Sequence, residues 1–196
     1  EATDIVENST SDTFRASETS IIYASNKSMI AKLKGDKDSY YLTFDEIPQS
    51  VKDAMVVTED RDFYKHEGVN FLSTAKAAVM LVESKLRHQD ISRGGSTITQ
   101  QLAKNVFLSN ERSYERKVRE IFIALELEKK YTKDQILEFY INNIYFANGY
   151  YGIEAASKGY FNKSAKDLDL AEAAFLCSIP NRPSLYNPLE HYKNTL

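Results

Sequence analysis

From Gln49 onward, apolar residues recur at helical spacing nearly without interruption. That periodicity constrains the chain more than any other feature, because a polypeptide patterned this way must bury one face of each helix against another helix. It predicts helices over about 49–60, 70–86, 96–106, 113–129, 133–144, 150–158 and 170–178. Asn70 or Ser73 is positioned to cap the second of these. Ser96 or Thr97 is positioned to cap the third. Thr132 followed by Gln135 reads as a capping box. Asp167 or Asp169 reads as the start of the last helix, and Pro180 as its stop. With only 7 glycines and 4 prolines in 196 residues, a many-turned β-sandwich is excluded.

Ahead of the helices the pattern differs. Residues 1–18 are polar and read as disordered or weakly ordered. The run Thr19–Leu33 reads as two short strands about Ser-Asn-Lys-Ser. Tyr40–Phe44 offers a third strand, and Asp45 a helix N-cap. The expected architecture is mainly α with a small β appendage near the N-terminus. A net charge of −3 gives no footprint for nucleic acid, so any anion site must be local. A single cysteine, Cys177, rules out an internal disulfide and reads as a buried thiol in Ala-Glu-Ala-Ala-Phe-Leu-Cys. Three histidines, His66, His88 and His191, lack ligand spacing. The longest strongly apolar run, Ala77–Val82, falls far short of the roughly 20 residues a membrane span needs. The polar start looks like the leading edge of an excised segment, one that can hide a removed anchor.

Three segments carry candidate chemistry. The first is TEDRDFYKHEG, Thr58–Gly68, which puts Glu59 and Asp60 at the end of the apolar run Ala54–Val57. Glu59, Phe63 and His66 fall on roughly one side. A carboxylate beside apolar and aromatic groups has its charged form disfavoured, which moves it toward a general base's working range. The plainer alternative pairs Glu59 and Asp60 with Arg61 or Lys65 on the surface, and leaves His66 as a hydrogen-bonded structural residue. The second is RGGSTITQQLAKN, Arg93–Asn105: a glycine turn, a cap, then a helix whose first amides suit an anion. Ser96, Gln100 and Lys104 recur at i, i+4 and i+8, a polar stripe suited to a sugar and a phosphate together. The spacing is not that of a P-loop. The third is Glu111–Lys130, where Arg112, Arg116, Lys117 and Arg119 precede Glu120. It reads equally as an amphipathic helix with an Arg116–Glu120 pair, and Glu126 and Glu128 fit that reading. Glu120 itself lies one turn before Ala124 and so can face inward.

Two carboxylates, Glu59 and Glu120, are the usual kit for glycosidic chemistry. The cations mark something more specific. A hydrolase of neutral glycan needs no Lys104 or Arg112, whereas a transferase expelling a diphosphate does, because charge builds on the departing oxygens.

Five ordered motifs, covering roughly residues 40–190, resemble the peptidoglycan glycosyltransferase domain (glycosyltransferase family 51) of class A penicillin-binding proteins and of monofunctional transglycosylases. EDRDFYKHEG is similar to the family's first motif and GGSTITQQLAKN to the second. RKVREIFIALELE is similar to the third, and KDQILEFYINNIYF with GYYGIEAASKGYF to the fourth. LDLAEAAFLCSIPNRPSLYNP is similar to the fifth. The resemblance implies a mainly α, lysozyme-like domain over 40–190 with a small, flexible, membrane-associated lobe at about 69–93. A tail and hairpin segment over 1–39 would precede it, and residues 191–196 would begin a linker to a missing C-terminal domain.

It also implies the activity: polymerisation of lipid II into β-1,4 glycan strands, with inversion and release of undecaprenyl diphosphate. Glu59 falls on the family's general base, acting on the acceptor 4-hydroxyl, with Asp60 supporting it. Glu120 falls on the third motif's glutamate, which orients the site or assists the diphosphate or a metal. Ser96, Thr97, Gln100, Gln101, Lys104 and Asn105 fall on the donor site, Lys104 and Arg112 on the diphosphate contacts, and Arg116 and Lys117 on the third motif's basic residues. Lys76 occupies a further basic position. No tightly bound cofactor is implied, and Mg2+ or Mn2+ is the metal to test. The implied partners are lipid II and the growing lipid-linked glycan, the membrane surface, moenomycin-type inhibitors and a fused or cooperating transpeptidase; no nucleic acid is expected. The implied location is the outer face of the bacterial cytoplasmic membrane, through an N-terminal transmembrane helix absent from this chain. Two other readings stand beside this one: a lysozyme-like glycan hydrolase and a non-catalytic lipid II-binding scaffold.

Overall fold

The structure is a computed structural model. It describes residues 1–15, 20–26, 29–33, 38–71, 95–108, 113–181, 183 and 185–190. Of the helix expected at 70–86, only Asn70 and Phe71 are among the described residues; the alternative cap Ser73 and Lys76 lie outside them. Arg112 and the segment 191–196 also lie outside them.

The described architecture is mainly α, as the periodicity predicts. Helix α1 (Ala2–Glu7) and a 3-10 turn (Ser11–Phe14) come first. A hairpin of β1 (Ser20–Tyr23) and β2 (Met29–Leu33) and the two-residue β3 (Asp38–Ser39) follow. Then come α2 (Gln49–Glu59), α3 (Ile98–Phe107), α4 (Tyr114–Lys130) and α5 (Lys133–Asn143). The chain continues with β4 (Tyr150–Tyr151), α6 (Ile153–Phe161) and α7 (Leu170–Ser178). Strands β1 and β2 pair antiparallel with a bulge at Ile22/Tyr23, and β3 pairs parallel with β4.

Helix α5 runs through the middle and touches α2, α3, α4 and α6. Six of its 11 residues are buried, including Ile136, Leu137, Phe139 and Tyr140. Leu102 of α3 and Ile123 and Leu127 of α4 belong to the same core. The expected capping box holds: the Thr132 hydroxyl accepts from the Gln135 amide, and the Gln135 side chain accepts from the Thr132 amide at 3.0 Å. Asp169, not Asp167, caps α7 in the same way. Cys177 is buried, and burial pushes its thiol up to about 12, with the charge of Glu59 adding to the effect.

Several local expectations fail, each for a definable reason. Within residues 1–18, the described segment 1–15 is ordered against the domain. Phe14 stacks on Phe139 at 4.0 Å between ring centroids and meets Phe107 and Tyr131 edge-on. The Lys130 ammonium donates to the carbonyls of Val6, Glu7 and Ser9, tying the end of α1 and the residues after it to α4. Two buried apolar side chains, Val6 and Phe14, anchor this mostly polar stretch.

Tyr40–Phe44 is not a strand. The Leu42 amide and carbonyl are instead satisfied by the Asn142 side chain, at 2.8 Å each. Asp45 caps nothing: Thr43 begins the 3-10 turn Phe44–Glu46, and Pro48 stands at the start of α2. The helix expected at 150–158 begins later, at Ile153. Gly152 has φ +80°, and a Cβ there would lie 2.5 Å from the Asn142 carbonyl oxygen, so the chain turns at this point before entering α6.

Candidate functional site

The site forms where the C-terminal end of α2 meets the N-terminal end of α3, with α4 and α5 alongside. Asp60 makes this junction. Its Oδ2 accepts from the Ile98 amide at 3.1 Å and lies 2.8 Å from His66 Nε2. The Gly68 amide donates to His66 Nδ1 at 3.2 Å, so the ring is the tautomer that carries its proton on Nε2 and donates it to Asp60. A carboxylate at the start of α3 also complements that helix's dipole.

Asp60 and His66 therefore hold the backbone in place, and His66 faces Asp60 rather than Glu59. Neither acidic residue forms the surface pairs with Arg61 or Lys65 that the plainer reading offered; Lys65 pairs with Asp62. The turn closes further because Gly68, at φ +87°, lies against the α4 backbone, where a Cβ would meet the Ala124 carbonyl at 2.8 Å. Lys133 ties the turn down, donating to the His66 carbonyl at 2.5 Å while pairing with Glu128 at 2.8 Å. Glu128 is thus a buried, paired residue, unlike the solvated one its spacing suggested; Glu126 does pair at the surface with Lys129.

Glu59 is the last residue of α2 and mostly buried. Its Oε2 accepts from Gln101 Nε2 at 2.9 Å. Its Oε1 is buried and has no hydrogen-bond partner among the described residues. Burial raises the carboxyl above its ordinary value. The hydrogen bond from Gln101 and the Lys104 charge pull the other way, and the Asp60 charge adds to the rise. A buried carboxylate oxygen without a partner and with raised proton affinity is able to take up a proton.

Across from it stands a cation cluster. Lys104 on α3 is half-buried, and among the described residues no acceptor pairs with its ammonium. Burial lowers its proton affinity first. The Glu120 charge raises it, the Arg116 and Lys117 charges lower it, and Glu59 raises it. Glu120 is 2% exposed and accepts from Arg116 Nη1 at 3.2 Å and from Lys117 Nζ. Lys117 also donates to Ser96 Oγ at 2.8 Å. Arg116 Nε is buried without a partner among the described residues. One carboxylate thus gathers two cations beside a third, and among the described residues a surplus of positive charge remains unmatched.

The structure brings Glu59, Gln101, Lys104, Arg116, Lys117, Glu120 and Ser96 into one electrostatic neighbourhood. It does not form the expected Ser96–Gln100–Lys104 stripe. Helix α3 begins at Ile98, so Ser96 lies in the extended lead-in. Thr97 is the cap: its hydroxyl accepts from the Gln100 amide and donates to the Gly68 carbonyl, while Gln100 Oε1 accepts from the Thr97 amide at 3.0 Å. Thr97 and Gln100 are buried and committed to that capping box, with only Gln100 Nε2 left unpartnered among the described residues. Asn105 is exposed.

Sequence reasoning missed Tyr140, whose hydroxyl donates to Gln101 Oε1 at 3.1 Å across a separation of 39 residues. Its place in a run of buried positions reads simply as core. Among the described residues no three His, Cys, Asp or Glu side chains gather to hold a metal ion, and no helix is long and apolar enough to cross a membrane.

The site thus sets a largely buried carboxylate near cations that lack matching partners among the described residues. The comparisons with known proteins show the family. The family model described as Transglycosylase matches residues 26–196. Penicillin-binding protein 4 of Bacillus subtilis (strain 168) is 44% identical over 177 residues, covering 90% of this chain and 28% of that protein. Penicillin-binding protein 1A of Pseudomonas aeruginosa is 45% identical over 168 residues, covering 86% of this chain and 20% of that protein. A crystal structure of Penicillin-Binding Protein 1A from Haemophilus influenzae overlaps 90% of this chain and 16% of its own, at TM-score 0.43 and 21% identity, too loosely to add to the argument. The chain belongs to the transglycosylase family, and it is a glycosyltransferase domain of the class A penicillin-binding protein kind. It spans about a quarter of the length of the curated relatives it matches.

Proposed function

We propose that this chain is a peptidoglycan glycosyltransferase that polymerises lipid II into β-1,4 glycan strands. In this reading Glu59 Oε1 takes the proton from the acceptor's 4-hydroxyl. The freed oxygen attacks the donor's anomeric carbon from the face opposite the leaving group, so that carbon inverts. The bond to the diphosphate breaks, its electron pair stays on the phosphate oxygen, and undecaprenyl diphosphate departs.

Lys104, with Arg116 and Lys117 held by Glu120, offsets the charge that builds on those oxygens; such charge-assisted contacts are about twice as strong as neutral ones. The observation that carries the proposal is the unpartnered, buried Glu59 Oε1 in the same neighbourhood as a cation cluster with surplus charge. A hydrolase of neutral glycan has no use for that surplus. The reading extends to the setting: the outer face of the cytoplasmic membrane, a fused or cooperating transpeptidase, and inhibition by moenomycin-type phosphoglycolipids at the donor site.

The test is a lipid II polymerisation assay with wild type and Glu59→Gln side by side. Wild type should lengthen lipid II and leave preformed glycan intact. The variant should lose about 10²–10⁴ in rate, the worth of a positioned base. Undiminished polymerisation by Glu59→Gln would remove Glu59 from the mechanism, and cleavage of preformed glycan would favour a hydrolase.

A further inference from the structure

The three side chains Tyr140, Gln101 and Glu59 form a line from the core to the site. Tyr140 is fully buried on α5, and its hydroxyl lies 3.1 Å from Gln101 Oε1. Gln101 Nε2 lies 2.9 Å from Glu59 Oε2, and the other carboxylate oxygen has no partner among the described residues. An amide side chain has an oxygen and a nitrogen of nearly equal size, so something must decide which end faces the carboxylate.

We propose that Tyr140 is a positioning residue: by donating its proton to Gln101 Oε1, it holds the amide with Nε2 toward Glu59. One oxygen of Glu59 is thereby fixed, and the other is presented to the acceptor hydroxyl. This rests on the reading of Glu59 as general base, although the coupling itself is a property of the three side chains.

The direction of the effect follows from hydrogen-bond accounting. While Glu59 is ionised it can only accept, so Gln101 must offer Nε2 and its Oε1 must find a donor elsewhere. Tyr140 is that donor, and burial together with the Glu59 charge keeps its hydroxyl protonated. Remove the hydroxyl, and in this orientation Gln101 Oε1 loses its donor. The amide then gains by turning over, because its Oε1 can accept from a protonated Glu59. Loss of the Tyr140 hydroxyl therefore favours the protonated, inactive form of the base.

The charged and titratable groups around Glu59 come from every neighbouring element. They are Asp60 beside it, Lys104 on α3, Tyr140 on α5 and Cys177 on α7. Lys104 in turn feels Glu120, Arg116 and Lys117 of α4. Tyr140→Phe alters none of these other charges and keeps the shape of the ring.

The experiment titrates the Glu59 side-chain carboxyl carbon by NMR in the whole chain, wild type against Tyr140→Phe. No substrate is needed. The expected result is a midpoint about one pH unit higher in the variant, a tenfold change in the protonation equilibrium for the loss of one hydrogen bond in a charged chain. With lipid II as substrate, the acid limb of kcat should move by the same amount and KM should stay unchanged. Replacing Tyr140 by 3-fluorotyrosine, a stronger donor of nearly the same shape, should move the midpoint down. That variant carries the test if Tyr140→Phe does not fold. An unmoved midpoint, or movement in the same direction for both replacements, overturns the proposal. So does a uniform loss of kcat at every pH without a shift. If the midpoints move as expected but wild type makes no glycan, the coupling stands and the proposed function falls.

Discussion

Glu120→Gln separates electrostatic organisation from simple stability. The substitution keeps the shape of the side chain and removes its charge. In the folded protein that charge is shared among Arg116, Lys117 and Lys104. Removing one partner of a buried ion pair costs about 3–5 kcal/mol when the other is equally buried. Here the cationic partners are 19% and 37% exposed, so water screens part of the loss and a cost of about 2 kcal/mol is expected. For a chain of this size that lowers Tm by about 4–8 °C.

The second consequence is the diagnostic one. Burial already lowers the proton affinity of Lys104, and Glu120 is its largest support against that effect. Without Glu120, only the weaker pull of Glu59 counters Arg116 and Lys117, and the Lys104 ammonium loses its proton at lower pH. The alkaline limb of the polymerisation rate should therefore move toward neutrality in Glu120→Gln. Arginine keeps its charge throughout this range, so adding Lys104→Arg should restore the limb while leaving Tm low. The assay is a pH–rate profile for glycan formation, with a thermal melt on the same samples. An alkaline limb that stays in place while Tm falls would refute the argument, because Glu120 would then matter only to folding.

Two further predictions concern stability. Glu59 has a raised pKa when folded, so its unfolded form ionises first as pH rises, and the stability present below its ordinary range near 4.5 is lost as pH climbs through the higher folded value. Glu59→Gln should accordingly be more stable than wild type at pH 7, by about 1 kcal/mol or roughly 2–4 °C, and equal to it near pH 4, as read by thermal melts at both pH values; a variant no more stable at pH 7 would mean the carboxylate is better solvated than its burial indicates. Phe14→Ala should cost about 3–5 kcal/mol in urea unfolding, because the ring stacks on Phe139 and touches Phe107 and Tyr131; a change under about 1 kcal/mol would mean that the N-terminal segment leaves the domain in solution.

What the sequence made legible was local. Helix positions, the Thr132–Gln135 box and the inward turn of Glu120 all follow from spacing within one element. The missed features depend on contacts between distant segments. Tyr140 meets Gln101 across 39 residues, and Asn142 takes the place of a strand for Leu42 across 100. The N-terminal segment carries too few apolar residues to announce a packed element, yet its single phenylalanine lands among three aromatic rings that no local window contains. The polar stripe on α3 failed for the opposite reason. Helical spacing was extended back through Ser96, although Thr97 ends the helix and turns Gln100 inward.

The pattern within the site has a physical logic. Residues held by hydrogen bonds, namely Asp60 through Oδ2, His66, Thr97 and Gln100 through Oε1, fix the backbone where α2 and α3 meet. The atoms left without partners among the described residues, Glu59 Oε1 and Arg116 Nε, and the unmatched ammonium of Lys104 lie around the neighbourhood that this backbone frames. Each such vacancy costs folding free energy, about 1–3 kcal/mol for a buried polar group. In the proposed function the acceptor hydroxyl and the departing diphosphate complete these contacts, so the folding cost of leaving them open is offset when substrate binds.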